Sequence, residues 1–212
     1  MKLYSYFRSS ASYRVRIALN LKGLACDLIP VNLLKGEQTH AEYLKLNPQG
    51  LLPALVDGGH TLTQSLAIIE YLEETHPEPA LLPKTPRERA RVRALTLAIA
   101  CEIAPINNLG VLHYLKGVLH VSDAQKIAWI QHWIASGFSA VERLLAESPL
   151  TGAYCHGDTP TLADCCLVPQ VFNAKRFECD LAPYPTLMRI AATCNLHPAF
   201  IAAHPDNQLD AA

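Results

Sequence analysis

The sequence predicts a protein of two parts, an α/β part followed by an all-helical part. Strand-like and helical apolar patterns alternate as far as Thr75, whereas no convincing strand-like run follows residue 87. The proline-rich stretch between them interrupts both patterns. We therefore expect one domain over residues 1–76, a linker over 77–86, and a second domain over 87–212.

The first part is predicted to follow the order β-α-β-α-β-β-α. A helix between the first two strands is long enough for a parallel crossover. Gly58 and Gly59 lie between the last two strands and predict an antiparallel hairpin. The expected strands cover residues 2–7, 26–31, 52–56 and 60–63, and the expected helices follow Ser9–Ser12, fall in the polar stretch 37–46 and cover 65–75.

The second part is predicted to be a helical bundle. Its expected helices cover residues 87–115, 123–146, 162–177 and 186–194. Thr161 and Asp164 have the spacing of a reciprocal capping box in front of an apolar run. Because capping accounts for both side chains, we interpret this pair as structural rather than catalytic.

Composition excludes several classes of function. A net charge of -1 over 212 residues provides no basic field for nucleic acid or an anionic membrane. We expect no membrane-spanning run and no signal peptide, and therefore a cytoplasmic protein. The seven cysteines include no Cys-x-x-Cys pair, which predicts free thiols. The nine histidines are scattered, so we expect no metal site.

The most informative segment is the hydroxyl cluster Ser9–Ser12, where the first strand gives way to a helix. A helix start carries unpaired N–H groups and partial positive charge. Serines at that point can cap the helix or hold an anion such as a thiolate in front of it. The cluster alone leaves both interpretations open.

Six segments, taken in order, resemble a zeta-class glutathione transferase. Each one alone is weak, but together they span nearly the whole chain. They are Tyr6–Ser10, Arg14–Leu19, Asn47–Gly50, Gln64–Leu72, Asn107–Asn108 and Val168–Phe177.

The resemblance implies a thioredoxin-like glutathione-binding domain, an all-helical second domain and a homodimer. It implies that Ser9 and Ser10 stabilise the thiolate of glutathione, and that Ser65 at a helix start binds its γ-glutamyl carboxylate. It also implies a cis peptide before Pro53, where the backbone faces the cysteinyl part. The residues so assigned to glutathione are Ser9, Gln38, Gln49, Leu52, Pro53, Gln64, Ser65 and Asn108.

The activity implied by the resemblance is glutathione-dependent cis–trans isomerisation of maleylacetoacetate to fumarylacetoacetate, in tyrosine and phenylalanine catabolism. The thiolate adds to the double bond, the central bond rotates, and expulsion of the thiolate leaves the trans isomer. Arg8 and Arg176 are expected to hold carboxylates and the developing enolate of this dicarboxylic substrate. Arg14 and Arg16 are expected to form ion pairs or an interface.

The chain departs from the family pattern at three positions. Ala11 stands where a cysteine commonly follows the two serines, and Ala104 and Gly110 stand where related bacterial isomerases carry a histidine and an arginine. The last two departures weaken the case for maleylpyruvate as the substrate. Conjugation or dehalogenation of small α-halo acids keeps the same thiolate chemistry, and a non-catalytic binding module remains a further alternative.

Overall fold

The computed structural model describes residues 1–211, which form two compact units. The first unit comprises Met1–Leu81 and the residues from Asn195 onward, and the second comprises Leu82–Cys194. The first break falls inside the predicted linker, but the assignment of all residues after 87 to one domain differs from the structure. The C-terminal segment packs with the first unit because Asn20 donates a hydrogen bond to the Ala199 carbonyl and Arg16 donates one to the Ala203 carbonyl.

The first unit is built on a four-stranded mixed sheet of order β2-β1-β3-β4. β1 and β2 are parallel, whereas β3 runs antiparallel to both β1 and β4. These relations confirm the predicted crossover and hairpin. The strands are β1 (Lys2–Ser5), β2 (Asp27–Pro30), β3 (Ala54–Asp57) and β4 (His60–Thr63), and the helices are α1 (Ser10–Leu21), α2 (Ala41–Leu46) and α3 (Ser65–Thr75).

The hairpin turn between β3 and β4 requires glycine. Gly58 has a φ of 53° and Gly59 a φ of 83°, so both lie in the left-handed region. Two consecutive residues with positive φ match the right-handed twist of the strands, and only glycine adopts this conformation without steric cost.

A buried ion pair joins the ends of α1 and α3. Lys22 Nζ donates to Glu73 Oε2 over 2.7 Å and to the carbonyls of His76 and Pro79. Glu73 also accepts from the backbone N–H of Leu81. Both charges are therefore hydrogen-bonded within the first unit. Their contacts with His76, Pro79 and Leu81 hold the segment after α3 against the ends of α1 and α3.

The described residues of the second unit contain no strand, in agreement with the predicted helical bundle. The predicted helix over 87–115, however, is not one regular helix. Ala104 N–H donates to the carbonyl of Ile99, five residues back, so residues Ala98–Ile103 form a π-helical segment, and a short 3₁₀ turn follows. The α-helices are α4 (Pro86–Leu97), α5 (Leu109–Gly117), α6 (Asp123–Ala146), α7 (Leu162–Arg176) and α8 (Pro185–Cys194), and the C-terminal segment adds the unpredicted α9 (Pro198–Ala203) to the first unit.

The helical run Pro86–Gly117 is long and apolar enough, by length and composition, to cross a membrane. Its 32 residues include a window with a mean hydropathy of 1.5. The expectation that no run reaches this length is therefore wrong. The run is interrupted near Pro105, Ile99 and Ile103 are buried within the unit, and 28% of the apolar window is buried.

Asp164 at the start of α7 is fully buried and structural. Its Oδ2 atom accepts hydrogen bonds from the N–H and the hydroxyl of Thr161, and Oδ1 accepts from the N–H of Cys155. Burial raises the pKa of this carboxyl, and the hydrogen bonds act in the opposite direction. These contacts agree with the structural interpretation of the capping pair, because they occupy both carboxylate oxygens.

Candidate active site

Ser9 caps α1 through its side chain. Its Oγ accepts a hydrogen bond from the N–H of Ser12 over 3.2 Å, and its backbone is extended, as is usual at an N-cap. A hydroxyl that accepts one hydrogen bond still has its proton to donate. The capping and the anion-binding interpretations of Ser9 are therefore compatible.

Ser10 and Arg8 flank the capping serine. Ser10 is the first residue of α1, and its half-buried hydroxyl makes no hydrogen bond among the described residues. Arg8 donates through Nη2 to the hydroxyl of Tyr6, and its guanidinium carbon lies 5.1 Å from the ring centre of Phe7. Two aromatic side chains thus orient the Arg8 cation beside the start of α1.

The start of α3 is the second helix N-terminus in the first unit with predicted site residues. Ser65, its first residue, is buried, and its Oγ accepts a hydrogen bond from Arg14 Nη1 over 3.2 Å. Gln64 precedes it with a φ of 67°. A non-glycine residue in this region costs about 1–3 kcal/mol, and such strain persists mainly at functional sites.

Gln64 and Gln49 meet in front of α3. Gln64 Nε2 donates to Gln49 Oε1 over 2.9 Å, and both side chains are exposed. Gln49 is in turn oriented by Asn47, whose Oδ1 accepts from the Gln49 N–H. Two of the predicted glutathione residues, far apart in sequence, are therefore in direct contact.

The turn before β3 is held from inside the unit. Tyr43 Oη and Asn47 Nδ2 both donate to the carbonyl of Leu51, over 2.6 and 2.7 Å. Burial raises the pKa of Tyr43 to about 12, so its hydroxyl keeps the proton it donates. The peptide between Leu52 and Pro53 is cis, as the family resemblance implied.

Gln38 lies behind this turn on a 3₁₀ segment. It is buried, and its Oε1 has no hydrogen-bond partner among the described residues. The backbone carbonyl of Gln38 also closely approaches Gly50, where an added Cβ would lie 3.3 Å from that oxygen. Gln38 thus packs against the Asn47–Gly50 turn through its backbone.

Asn108 and Arg176, the remaining predicted site residues, belong to the second unit. Asn108 is exposed in front of α5 and makes no side-chain capping bond there. Arg176 ends α7, is exposed, and has its guanidinium carbon 5.0 Å from the ring centre of Phe177. Their roles stay predictions.

The structure shows roles for Arg14 and Arg16 that the sequence did not predict. Both are buried, and their hydrogen bonds go to hydroxyl and carbonyl oxygens inside the first unit. Arg16 donates to the Phe7 carbonyl over 2.9 Å, next to Arg8. Burial lowers the pKa of Arg16 to about 10, while Tyr13 and Asp210 raise it, so the guanidinium is charged at neutral pH.

Asp210 is a further residue that sequence analysis missed. Its Oδ2 accepts a hydrogen bond from the Phe7 N–H over 2.9 Å, across 203 residues of sequence. Arg16 and Asp210 therefore bind opposite polar groups of one residue, immediately before the predicted catalytic segment. No local pattern near the C-terminus could have indicated this contact.

Comparison with known proteins matches both parts of the chain. The glutathione S-transferase N-terminal domain family matches residues 3–80, and the corresponding C-terminal domain family matches residues 128–201. A probable maleylacetoacetate isomerase of Vibrio cholerae serotype O1 is 53% identical over 211 residues, covering 99% of this chain and 97% of that protein.

Solved structures agree with these matches. The holo structure of a maleylpyruvate isomerase, described as a bacterial zeta-class glutathione S-transferase, superposes with a TM-score of 0.98 at 50% identity, covering 100% of both chains. A maleylacetoacetate isomerase from Anaeromyxobacter dehalogenans 2CP-1, with dicarboxyethyl glutathione and citrate in its active site, has a TM-score of 0.88 at 44% identity, covering 100% of this chain and 97% of that one.

The first unit combines a four-stranded mixed sheet with two polar helix starts, and the described residues of the second unit are helical. This arrangement defines the structural class of the protein. The predicted fold, a thioredoxin-like domain with an all-helical C-terminal domain, is confirmed. The chain belongs to the glutathione S-transferase family, in its zeta class.

Proposed function

We propose that the protein is a glutathione-dependent cis–trans isomerase that converts maleylacetoacetate to fumarylacetoacetate. The observation that carries this proposal is the pairing of two polar helix N-termini in the first unit, Ser9–Ser10 on α1 and Gln64–Ser65 on α3. The first suits a thiolate and the second suits a carboxylate, which are two anionic groups of glutathione. The similarity to glutathione-bound isomerases supports the same assignment.

The thiolate is proposed to form at the start of α1. A free thiol has a pKa of about 8.5, and a helix N-terminus with hydroxyl donors lowers it toward neutrality. Ser9 and Ser10 supply those hydroxyls. Gln38, Gln49, Leu52, Pro53, Gln64, Ser65 and Asn108 are proposed as the remaining glutathione contacts.

The reaction is proposed to proceed by reversible addition. The thiolate sulfur bonds to one alkene carbon, and the electron pair of the π bond moves into the conjugated carbonyl as an enolate. The former double bond rotates, the enolate re-forms the alkene, and the thiolate leaves unchanged. Dicarboxyethyl glutathione, bound in the related isomerase, is a thioether of glutathione whose added group carries two carboxylates. It resembles the proposed adduct but is saturated, whereas the adduct is an enolate.

Arg8 and Arg176 are proposed to bind the charged substrate. An arginine presents planar, two-pronged donors that match a carboxylate, and its charge stabilises the developing enolate. Arg8 is oriented by Tyr6 and Phe7 next to the serines. Arg176 is the candidate from the second unit, on the resemblance of its α7 segment to the family.

Maleylpyruvate is the second candidate substrate. It is favoured by the similarity to the maleylpyruvate isomerase structure. It is disfavoured by Ala104 and Gly110, which provide no cationic side chain where related isomerases have one. Maleylacetoacetate therefore remains the first candidate substrate.

The deciding experiment measures isomerisation of maleylacetoacetate and of maleylpyruvate, each with and without glutathione. We expect turnover only with glutathione and a higher kcat/KM for maleylacetoacetate. A higher kcat/KM for maleylpyruvate would make maleylpyruvate the first candidate substrate instead. Thioether formation with release of halide from an α-halo acid, without isomerisation, would favour the transferase alternative. No glutathione binding at millimolar concentration would overturn the enzyme proposal.

We also propose that the protein acts in the cytoplasm as a homodimer, in tyrosine and phenylalanine catabolism. The dimer is proposed from the family resemblance; along the helical run Pro86–Gly117, Leu97 is 46% exposed, whereas Leu95, Ile99 and Ile103 are buried. Light scattering should give twice 23.3 kDa at micromolar concentration. A particle of 23.3 kDa would contradict the dimer.

A further inference from the structure

Arg14 is a buried cation whose hydrogen-bonding capacity is largely unused. It is 4% exposed, and Nη1 donates to Ser65 Oγ over 3.2 Å. Its Nε and Nη2 atoms are buried and have no hydrogen-bond partner among the described residues. Buried charged groups normally find partners for all their donors, so this arrangement calls for an explanation.

Arg16 provides the contrast within the same helix. It is 3% exposed and donates to Ser5 Oγ and to the carbonyls of Phe7 and Ala203. Its three guanidinium nitrogens are all hydrogen-bonded. Burial of an arginine in α1 therefore does not in itself leave donors unpaired, and the state of Arg14 is particular to its position beside α3.

The contact between Arg14 and Ser65 determines what the serine hydroxyl can do. A hydroxyl has one proton to donate and lone pairs that accept. Because Arg14 donates to the oxygen, the proton of Ser65 is directed to another acceptor. The buried positive charge also adds to the partial positive charge at the start of α3, with little screening by water. Both effects favour an anion in front of Ser65.

We propose that Arg14 is a positioning residue for the γ-glutamyl carboxylate of glutathione. It acts through Ser65, which it keeps as a hydrogen-bond donor, and through its own uncompensated charge behind the α3 N-terminus. The proposal rests on the proposed function, which brings glutathione to this site. It adds a buried residue, behind Ser65, to the recognition of one group of the ligand.

The test compares two ligands that differ only in that carboxylate. Calorimetry measures the Kd of glutathione and of 4-aminobutanoyl-cysteinylglycine, which is glutathione without the γ-glutamyl carboxylate. The substitution is Arg14→Met, which keeps an unbranched chain in place of the aliphatic portion of the arginine and removes the guanidinium with its charge and donors. We expect the Kd of glutathione to rise about tenfold or more, and that of the analogue to change less than about twofold.

A double-substitution cycle tests whether Arg14 acts through Ser65. Ser65→Ala alone should also weaken glutathione selectively. In the Ser65→Ala background, Arg14→Met should have a smaller effect than in the unsubstituted protein, because part of its action has been removed already. Fully additive effects would overturn the proposed route through the hydroxyl.

Lys2→Met is the matched control for the removal of a cation from the same unit. Lys2 is exposed on β1 and lies outside the proposed glutathione site, so its substitution should leave both affinities unchanged. Thermal denaturation establishes that each variant is folded. Should Arg14→Met not fold, Arg14→Gln and Arg14→Lys take its place. Lysine should retain more of the selectivity than glutamine, because it keeps the charge.

The outcomes separate this inference from the function on which it rests. If the unsubstituted protein does not bind glutathione, the proposed function fails and the inference fails with it. If that protein binds and Arg14→Met weakens both ligands by the same factor, Arg14 is structural only and the inference alone is overturned. A selective loss for glutathione supports it.

Discussion

The Ser9 hydroxyl has a fixed direction, whereas that of Ser10 does not. The Ser12 N–H donates to Ser9 Oγ and restricts the rotation of that hydroxyl, but Ser10 has no such contact among the described residues. A preorganised donor stabilises developing charge more than one that must be ordered during the reaction. Ser9 is therefore expected to be the main partner of the thiolate.

Ser9→Ala and Ser10→Ala should differ in both stability and chemistry. Loss of the cap should lower the free energy of unfolding of Ser9→Ala by about 1 kcal/mol, with little change for Ser10→Ala. Ser9→Ala should also lower kcat/KM about a hundredfold and shift its pH profile to higher pH, because the thiolate loses a donor. Urea unfolding and pH–rate profiles measure the two effects. Equal profiles for both variants and the unsubstituted protein would contradict the placement of the thiolate.

Arg176 and Arg8 should respond differently to substitution. Arg176→Ala should raise the substrate KM by about tenfold or more and leave the glutathione Kd nearly unchanged, since the first unit is proposed to supply most glutathione contacts. Arg176→Lys should recover part of the loss, because lysine keeps the charge but not the planar donors. Arg8→Ala should affect both ligands. A change in KM below about threefold would show that Arg176 does not bind the substrate.

The sequence identified candidate residues but not their environment. The family resemblance includes Asn47–Gly50, a helix start at Ser65 was predicted from sequence, and the structure brings Gln49 and Gln64 into contact. The burial of Arg14 and Arg16 was not predictable. An arginine near a helix start is usually exposed, and only tertiary contacts, with Ser65 and with the chain around Phe7, show that these two are interior.

At the level of elements, the sequence predicts uniform helices better than interrupted ones. Predicted bounds of 65–75 and 123–146 agree with α3 and α6, because breakers or capping residues mark their ends. The helix predicted over 87–115 fails because a π-helical segment carries no distinct apolar period. The six-residue α9 was missed because it is too short to show a period.

The π-helical segment is packed against a glycine of α6. A Cβ added to Gly137 would overlap the Cγ1 and Cδ1 atoms of Ile103. In an open helix, glycine to alanine stabilises by about 1 kcal/mol, but overpacking a core costs about 1–3 kcal/mol. Gly137→Ala should therefore destabilise the protein in urea unfolding.

Two variants control this prediction. Gly110→Ala in α5 meets open space, so its stability should be unchanged or slightly raised. In an Ile103→Ala background, the Gly137→Ala substitution should lose its penalty, because the opposing atoms are gone. A stabilising effect of Gly137→Ala alone would show that the helices separate without cost.

The loop before α7 should be sensitive to acid. Arg91 Nη1 lies 3.2 Å from His156 Nδ1 and also donates to the Cys155 carbonyl. Nδ1 can accept from Arg91 only when it is deprotonated. Burial, followed by the charge of Arg91, lowers the pKa of His156 from its ordinary value of 6.5, against smaller opposing effects of Glu88 and Asp164.

The sign of the pH dependence follows from that lowered pKa. Below about 6.5 the unfolded chain binds a proton that the folded protein resists, so this contribution to stability is complete above that pH and is lost as the pH falls. His156→Gln cannot titrate, so its free energy of unfolding should fall less between pH 7 and pH 5. Equal slopes for the two proteins would exclude His156 as the source.

At the scale of the whole molecule, the chain ends lie in one unit. The break between the units after Leu81 falls in the proline-rich stretch, whereas the break after Cys194 has no such marker, because α9 and its tail resemble the rest of the second part in composition. What assigns them to the first unit is a set of hydrogen bonds to α1 and to Phe7. Such long-range contacts leave no local sequence signal.

The C-terminal tail should therefore affect the predicted catalytic segment, Arg8–Ser10, at the other end of the chain. Asp210 accepts from the Phe7 N–H, and Arg16 donates to the Phe7 carbonyl, so the backbone ahead of Arg8 is held on both sides. Asp210→Ala should lower the free energy of unfolding by about 1–3 kcal/mol, because it leaves that N–H without its charged acceptor. Amide hydrogen exchange at Phe7 should become faster, and the affinities for glutathione and for its decarboxylated analogue should fall by similar factors. Leu209→Ser is the matched control, since Leu209 is 92% exposed and should tolerate the change without effect. Unchanged exchange at Phe7 in Asp210→Ala would show that Arg16 alone suffices to hold this segment.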